Sequence, residues 1–321
     1  MSKVVFLFSG QGSQYFNMGA ELYRANATFR RTLQWLDEEA IRVSGSSVIA
    51  QIYRDQQVKG EFDELRYTNP ALFMVQYAMA KVLQEELQIH PSYVLGYSLG
   101  EMVAAAVSGI VHPLDMLGAL IRQALEIKAH CSNGGMLTVL QDHRIFREQQ
   151  PFSSLSLAAV NYDEHFIVAG DEPSLQQLER FLGQQDLLSV RLPVRYAFHS
   201  PMMDPVKSAF VSCFRDIHFS TPVIPFVSGT LAKRVYMTVA DYYWEVIRAP
   251  VRFSEAVRQM ETAGNYFYID CSPSGTLKSI LDRILSPASS SVCHATMNRF
   301  GNELKKLQLL SQQCDATWLG R

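Results

Sequence analysis

The sequence predicts an α/β protein in which a small α+β unit is inserted into a larger α/β domain. Three observations predict it. The segment VVFLF at 4–8 has the β-branched and aromatic character of a buried strand and ends in the glycine-rich loop SGQGSQ at 9–14. The segment 91–109 is typical of a strand, a tight turn and a helix. From about residue 132 the elements become short, in an order that resembles β-α-β-β-α-β, and longer elements return after Phe198.

The larger part of the chain is predicted to contain long helices. NPALFMVQYAMAKVLQEEL at 69–87 is predicted as a helix, with Asn69 as its N-cap and Pro70 at its first position. Gly109 is placed to end the helix after the tight turn, and Pro113 to begin the next one. Further along, the predicted elements are a helix at 201–214, a strand at 222–229, mostly helix at 242–264 and a strand at 266–270.

The small unit is predicted to contain four strands and a helix between the last two of them. The strands are MLTVL at 136–140, SLSLAAV at 154–160, HFIVAG at 165–170 and LLSVRLPV at 187–194, and the helix is SLQQLERFL at 174–182.

Length and composition are those of an ordinary globular protein. The chain has 321 residues, 48% hydrophobic and 19% charged, which allows one large domain or two smaller ones. A formal net charge of −2 and the lack of a basic run argue against a nucleic-acid partner. The apolar run from Val4 to Phe8 is too short for a signal peptide or a membrane span. We therefore expect a cytoplasmic protein with no membrane partner.

The cysteines and the absence of ligand motifs bear on redox state and metal binding. No two cysteines form a CxxC pair, and their odd number fits mostly buried thiols in a reducing compartment. No HExxH, CxxC or paired-carboxylate signature is present, so we predict no metal site. The cysteines are Cys131, Cys213, Cys271, Cys293 and Cys314.

The strongest chemical motif is GYSLG at 96–100, which fits G-x-S-x-G with a strand before it and a helix after it. In that context Ser98 is held exposed on a strained turn as a nucleophile. The N–H of Leu99 and the positive end of the following helix could then stabilise an oxyanion. The alternative is a glycine-rich structural turn without chemistry.

A serine nucleophile needs a base, and His199 is the first candidate among eight histidines. It lies in AFHSP, where a strand gives way to a helix, and such junctions commonly carry catalytic residues. The carboxylate that would orient it could be Asp204, Asp241 or Asp270, and spacing does not decide among them. The other histidines are His90, His112, His130, His143, His165, His218 and His294.

The loop SGQGSQ allows two interpretations. A phosphate-binding loop is one, but Tyr15 stands where G-x-G-x-x-G needs its third glycine, and no lysine follows for a Walker motif. The other is a second oxyanion donor, in which Gln11 or its neighbours approach Ser98.

Several motifs in order resemble the malonyl-CoA:acyl carrier protein transacylase family, which includes the acyltransferase domains of fatty acid and polyketide synthases. The resemblance extends from about residue 3 to about residue 285. Ser272 stands in the last motif where glycine is usual. The motifs are SGQGSQ, TNPALFMVQYA, GYSLGE, YAFHSPMM, APVRF and DCSPSGTL.

The resemblance implies a fold and a catalytic role for each site residue. The fold is an α/β-hydrolase-like core, here 1–131 and 197–321, with a ferredoxin-like subdomain at 132–196. Ser98 would take the acyl group as an ester, and His199 would be the general base and later the acid. Gln11 and the Leu99 N–H would form the oxyanion hole. Backbone carbonyls just before Pro250, rather than a carboxylate, would orient the histidine.

The sequence departs from the family at residues expected to contact the acyl group. Tyr97 precedes the nucleophile where histidine is common, and Arg195 and Tyr196 lead into a YAFH combination that mixes features of different substrate preferences. We expect Tyr97, Tyr196, Phe198 and Gln123 to bind substrate.

The most consequential departure is in ALIRQALEIK at 119–128. In malonyl-selective members an arginine on this helix pairs with the free carboxylate of malonate, and ungapped counting places its position at Gln123. Glutamine cannot neutralise a carboxylate, so we expect the pocket to prefer uncharged acyl groups. The alternative is that Arg122 takes the role, which needs a helix rotation of roughly 100° or a bulge.

Members of the family without that arginine include stand-alone acyl hydrolases of trans-acyltransferase polyketide synthases. The resemblance therefore implies, as the leading hypothesis, a hydrolase of acyl groups on acyl carrier proteins. No cofactor would be bound, and the carrier's phosphopantetheine would be part of the substrate. One alternative is transfer of an uncharged acyl or malonyl unit to a carrier protein. Another is a non-catalytic carrier-protein-binding relative, against which the intact Ser98, His199 and Gln11 argue.

Overall fold

The structure is a computed structural model that describes residues 3–54, 60–148 and 150–313. In these ranges the strands are β1 (Lys3–Phe8), β2 (Tyr93–Gly96), β3 (Gly135–Val139), β4 (Ser156–Tyr162), β5 (His165–Gly170), β6 (Ser189–Arg191), β7 (Phe226–Ser228), β8 (Lys233–Val235), β9 (Tyr266–Asp270) and β10 (Val292–Ala295). The helices are α1 (Ala20–Ala25), α2 (Ala27–Ser44), α3 (Val48–Ile52), α4 (Leu65–Glu85), α5 (Gly100–Val107), α6 (Pro113–His130), α7 (Ile145–Glu148), α8 (Glu172–Gln184), α9 (Lys207–Ser212), α10 (Ala240–Arg248), α11 (Phe253–Glu261), α12 (Thr276–Ile284) and α13 (Glu303–Gln313).

The larger sheet has the strand order β10-β9-β1-β2-β7-β8, and only the β7–β8 pair is antiparallel. In the register of β1 and β2, Phe8 lies opposite Gly96. The carboxyl ends of two central parallel strands therefore meet at one edge of the sheet, where ligands of open α/β sheets bind. The loop after β1 and the turn after β2 are neighbours for this reason.

Helices cover this sheet, as its composition requires. Val5, Phe6, Leu7 and Phe8 of β1 are all fully buried, because a parallel strand in the middle of an α/β sheet is covered on both faces. The long helix α4 packs against α2, α5 and α6 and is itself buried along most of its length.

The second sheet is antiparallel, in the order β4-β5-β3-β6, and all its strands come from residues 135–191. Its own apolar cluster includes Leu137, Phe166, Val168 and Leu175, the last contributed by α8. The predicted α/β fold with an inserted ferredoxin-like unit is confirmed. The subdomain boundaries 1–131, 132–196 and 197–321 stay a prediction.

One predicted helix start is wrong. Helix α4 begins at Leu65, one turn before the expected N-cap, and Pro70 lies inside it. Asn69 therefore lies inside the helix and does not cap it, and its side-chain oxygen accepts a hydrogen bond from the Gln11 amide. The helix predicted at 201–214 also differs. It is a 3₁₀ turn at Pro201–Val206 followed by α9, and Pro205 lies in the 3₁₀ part.

Two strands, the cysteines and the absence of a membrane span from the described residues can also be compared with the sequence-based expectations. The strands β8 and β10 had no counterpart in the sequence prediction. In the described ranges no helix is both long and apolar enough to cross a membrane. Cys131, Cys213, Cys271 and Cys293 are free thiols, the last two buried, and Cys314 lies outside the described residues.

Candidate active site

Ser98 lies on the turn between β2 and α5 with its backbone in the left-handed region, at φ +53°. A non-glycine residue there is strained, and the surrounding packing maintains that strain. Gly96 and Gly100 permit it, because a Cβ on either would collide with backbone atoms, those of Glu101 and Phe8 respectively. The sharp turn therefore presents the Ser98 side chain at the edge of the sheet.

His199 is the partner of this serine. Its Nε2 lies 2.9 Å from Ser98 Oγ, although 101 residues separate the two in sequence. His199 is itself in the left-handed region, at φ +61°, and its backbone N–H donates to the carbonyl of Ile247 at 2.8 Å. The ring Nδ1 lies 2.7 Å from the carbonyl oxygen of Ala249. The end of α10 thus holds both the backbone and the ring.

The electrostatics of His199 favour a neutral base. Only 4% of the residue is exposed, and this burial lowers its pKa from 6.5 to about 4. Because Nδ1 faces a carbonyl, which only accepts hydrogen bonds, that nitrogen carries the proton. The lone pair of Nε2 is then directed at the Ser98 hydroxyl, which is the arrangement that proton abstraction requires.

No carboxylate contacts His199 among the described residues. Asp204 pairs with Arg248 at 2.5 Å, and Asp270 accepts hydrogen bonds from the backbone N–H groups of Ser272 and Lys278. Asp241 lies in α10 and lines an outer groove. The carbonyl of Ala249, directly before Pro250, contacts the ring of His199 in the position where one of these aspartates was expected.

Two backbone N–H groups are available beside Ser98. Gly10 packs against the nucleophile turn, since a Cβ there would lie 2.9 Å from the Cβ of Ser98. Within the described part of the chain, the N–H groups of Gln11 and Leu99 donate no hydrogen bond. The side-chain amide of Gln11 donates to Thr68 Oγ1 at 3.1 Å and to Asn69 Oδ1. Helix α4 therefore fixes the loop that carries the Gln11 N–H.

A cavity of about 40 Å³ adjoins the serine. This is a few times the roughly 10–15 Å³ that a single water needs, so it suits a small group. Its walls are mainly apolar, and no lysine or arginine lines it among the described residues. The lining residues are Gln11, Asn69, Tyr97, Ser98, Leu99, Met102, Leu120, Gln123, Ile127, Met136, Ala159, Ile167, Leu192, Phe198, His199, Phe210 and Ile247.

Gln123 and Arg122 point to different sides of α6. Gln123 is 1% exposed and lines the cavity, whereas Arg122 is exposed and donates to the carbonyl of Cys213 at 3.3 Å. The helix continues unbroken from Pro113 to His130, so no bulge brings Arg122 inward. The cavity wall therefore carries a neutral amide and not a guanidinium.

The aromatic residues predicted to bind substrate are placed differently. Tyr97 and Phe198 line the cavity, and the Tyr97 hydroxyl donates to Asn161 Oδ1 at 2.9 Å. Tyr196 is buried but does not line the cavity, and its ring packs against that of Phe198 at 6.3 Å. Arg195 pairs with Asp63 at 2.7 Å on the surface.

Sequence reasoning missed the residues that support the site. Asn69 and Thr68 hold Gln11, and Asn161 of the second sheet holds Tyr97. Asn69 lies in TNPALF, a motif used for the family resemblance, but the adjacent proline favoured a helix cap. Asn161 had no local signal, because its partner lies 64 residues away.

The buried carboxylate of Glu101 connects α5, the helix after Ser98, with α10, the helix whose end contacts His199. Glu101 accepts hydrogen bonds from the Thr230 N–H at 2.7 Å and hydroxyl at 2.5 Å, and from the Tyr242 hydroxyl. Tyr242 belongs to α10, the helix whose end holds His199. Burial raises the pKa of Glu101 to about 7.

Known proteins identify the family to which this chain belongs. Residues 5–317 match the family described as the acyl transferase domain. The chain belongs to the acyltransferase family. It is 38% identical to the polyketide biosynthesis acyltransferase homolog PksD of Bacillus subtilis, over 95% of this chain and 94% of that protein. It is 36% identical to the acyltransferase homolog BaeD of Bacillus velezensis, with the same coverage of both.

Solved structures of this acyltransferase family have the same fold. A loading acyltransferase from the avermectin modular polyketide synthase is 27% identical, with a TM-score of 0.87 over 96% of this chain and 99% of that one. MCAT from Streptococcus pneumoniae is 21% identical, with a TM-score of 0.78 over 97% of this chain and 100% of that one. At that identity the second likeness shows the fold alone.

Proposed function

We propose that this acyltransferase-family protein hydrolyses short, uncharged acyl groups from acyl carrier protein thioesters during polyketide biosynthesis. The observation that carries the acyl preference is the buried Gln123 in the cavity wall, with Arg122 outside it. The phosphopantetheine thioester of the carrier protein is the substrate, and the mechanism needs no metal or cofactor.

Acylation uses Ser98 and His199. Nε2 of His199 takes the proton from the Ser98 hydroxyl, 2.9 Å away, as Oγ attacks the thioester carbonyl. The free N–H groups of Gln11 and Leu99 bind the oxyanion that forms. When the tetrahedral intermediate collapses, the C–S bond breaks and His199 gives its proton to the leaving thiolate. The products are an acyl ester on Ser98 and the free carrier thiol.

Deacylation repeats these steps with water as the nucleophile. His199 removes a proton from the water as its oxygen attacks the ester carbonyl, and then protonates Ser98 Oγ as the C–O bond breaks. The neutral state of the buried imidazole makes it ready for this second proton transfer. The product is a free carboxylic acid.

The preference for uncharged groups follows from desolvation. A malonyl carboxylate placed in this cavity would lose water and meet no cation among the described lining residues. A bidentate contact to arginine would offset that cost, and a glutamine amide offers only neutral hydrogen bonds. An acetyl or similar group has no such charge to desolvate.

Acetyl- and malonyl-carrier protein are the substrates that test the proposal. We expect free acetate to be released in multiple turnovers, with little acyl-enzyme accumulation from the malonyl substrate. Gln123→Arg should shift the ratio of Ser98 acylation rates toward malonyl by about tenfold or more. Arg122→Gln is the matched control and should leave the ratio unchanged. Ser98→Ala should form no acyl-enzyme, and hydrolysis retained by that variant would mean that Ser98 is not the nucleophile.

Acyl transfer is the second candidate. It is favoured by the family itself and by the two Bacillus relatives, both described as acyltransferase homologs. Its first half-reaction is identical, and only the acceptor differs: a carrier-protein thiol instead of water. A stable acyl-Ser98 that passes efficiently to a second carrier protein, with little free acid, would support transfer over hydrolysis.

A further inference from the structure

The side-chain amide nitrogen of Gln123 has no hydrogen-bond partner among the described residues. Its Nε2 is buried without a hydrogen bond. Buried polar groups in native proteins are nearly always paired, so one that is not calls for an explanation. Here the explanation lies in the cavity that the side chain lines, together with Ser98 and His199.

The neighbouring side chains cannot satisfy this amide. On the helices that form this wall, Met102, Leu120, Ile127 and Phe210 are apolar. Elsewhere in the cavity wall, the Gln11 amide N–H group donates to Asn69 and Thr68, and Ser98 pairs with His199. No described residue pairs with Gln123 Nε2, so in a filled cavity an atom of the ligand can be its partner.

An unbranched saturated acyl chain has no such atom. The oxygen of its thioester carbonyl is the atom that the N–H groups of Gln11 and Leu99 would bind, and its carbons neither donate nor accept hydrogen bonds. Filling the cavity with it would leave the amide desolvated and unpaired. A carboxylate would add an uncompensated charge. A hydroxyl or keto oxygen avoids both costs, because an amide can donate to either and can also accept from a hydroxyl.

We propose that Gln123 recognises an uncharged oxygen on the acyl chain, so that the preferred substrates are short hydroxyacyl or ketoacyl thioesters. The inference rests on the proposed acyl-Ser98 chemistry and makes Gln123 a specificity-determining residue. It distinguishes this pocket from one that is merely apolar. The Gln123 amide gains a hydrogen bond only when the acyl group carries an oxygen beyond that of the thioester carbonyl.

The test compares three N-acetylcysteamine thioesters of equal carbon number: butyryl, 3-hydroxybutyryl and acetoacetyl. The rate of acyl-Ser98 formation is measured by intact-protein mass spectrometry, and release of free acid is measured separately. We expect the wild type to be acylated by an oxygenated thioester about tenfold or more faster than by the butyryl thioester. In Gln123→Leu that ratio should fall to one or below.

Control variants distinguish a failure of this inference from a failure of the proposed hydrolase function. Arg122→Leu, on the outer face of α6, should keep the wild-type ratio, and thermal melting reports whether each variant folds. Gln123→Met serves if the leucine variant does not fold. Equal acylation by butyryl and oxygenated thioesters in the wild type, or a ratio unchanged in the variants, would overturn the inference even if free acid is released. The expected ratio without release of free acid would support the inference and count against hydrolysis. No acylation by any thioester would overturn both.

Discussion

The ring Nδ1 of His199 lies 2.7 Å from the carbonyl oxygen of Ala249, so a backbone carbonyl, and not a carboxylate, orients the imidazole. A carbonyl carries no formal charge and stabilises an imidazolium less than an aspartate would. Burial of the ring lowers its pKa to about 4, and the hydrogen bond to Ala249 offsets only part of this effect. The contact with Ala249 determines the tautomer of His199, and burial determines the range of pH over which the ring can act as a base.

The pH dependence of Ser98 acylation should reflect that pKa. His199 is neutral above its pKa of about 4, so we expect the acylation rate to be level from pH 8 to 5 and to fall only near pH 4. The unfolded chain binds this proton more readily, near pH 6.5, so folding stability decreases as pH falls from 6.5 toward 4. Rates from rapid-mixing mass spectrometry, with circular dichroism as a folding control, provide the measurement. A fall in the acylation rate near pH 6.5, while the protein is still folded, would contradict this prediction.

Asn69 should act as a positioning residue for the oxyanion hole. Its side chain accepts from the Gln11 amide, and removing it frees the loop that presents the Gln11 N–H. Loss of an entire oxyanion donor lowers kcat by about 10²–10³-fold, so a misplaced one should lower it by about tenfold. We expect Asn69→Ala to lower kcat with little change in KM. Asn69→Asp keeps the acceptor oxygens and should retain more activity. A pure rise in KM would argue against this role.

Gly100→Ala should prevent folding of the nucleophile turn, because the new Cβ would collide with the carbonyl oxygen of Phe8. Overpacking against backbone cannot be relieved by a rotamer change. Gly183→Ala is the matched control, since no atom lies within 4 Å of its Cβ position and it is in α8. Alanine there should stabilise by about 0.5–1 kcal/mol. Soluble yield and thermal melting of both variants check the contrast, and a stable Gly100→Ala protein would contradict it.

Glu101 should couple stability to pH. Its pKa rises from 4.5 to about 7 on burial, so its protonated form is favoured by folding and the stabilisation is lost as pH rises through 7. Glu101→Gln should therefore show a flatter dependence of the free energy of unfolding on pH between 5 and 8. Urea titrations at several pH values measure this, and an equally steep dependence in the variant would exclude Glu101 as its source.

Removing the Glu101 carboxylate altogether should lower the free energy of unfolding. In Glu101→Ala the Thr230 and Tyr242 donors would be left buried and unpaired, which predicts a loss of about 3 kcal/mol or more. The glutamine variant keeps one acceptor oxygen and should lose less. Equal stabilities of the two variants would show that these hydrogen bonds contribute little.

Prediction from the sequence was most successful where the signal is local. The strand at 165–170 was recognised from its run of apolar residues, and the turn GYSLG from the motif G-x-S-x-G between a strand and a helix. It failed at α4, where Pro70 favoured a helix start that the structure places one turn earlier at Leu65. The buried surroundings of Asn69 and its contact with Gln11 outweighed the local preference.

The sequence by itself determined the nucleophile turn and the two faces of α6. Both follow from local geometry: the glycines around Ser98, and the roughly 100° between consecutive helical residues that separates Gln123 from Arg122. Only the tertiary structure decided which backbone carbonyl holds His199, that Asn69 and Thr68 hold Gln11, and that Tyr196 lies outside the cavity. These hydrogen bonds join residues 50 to 58 positions apart. No local pattern encodes such a pairing, because it arises only when the sheet brings distant loops to one edge.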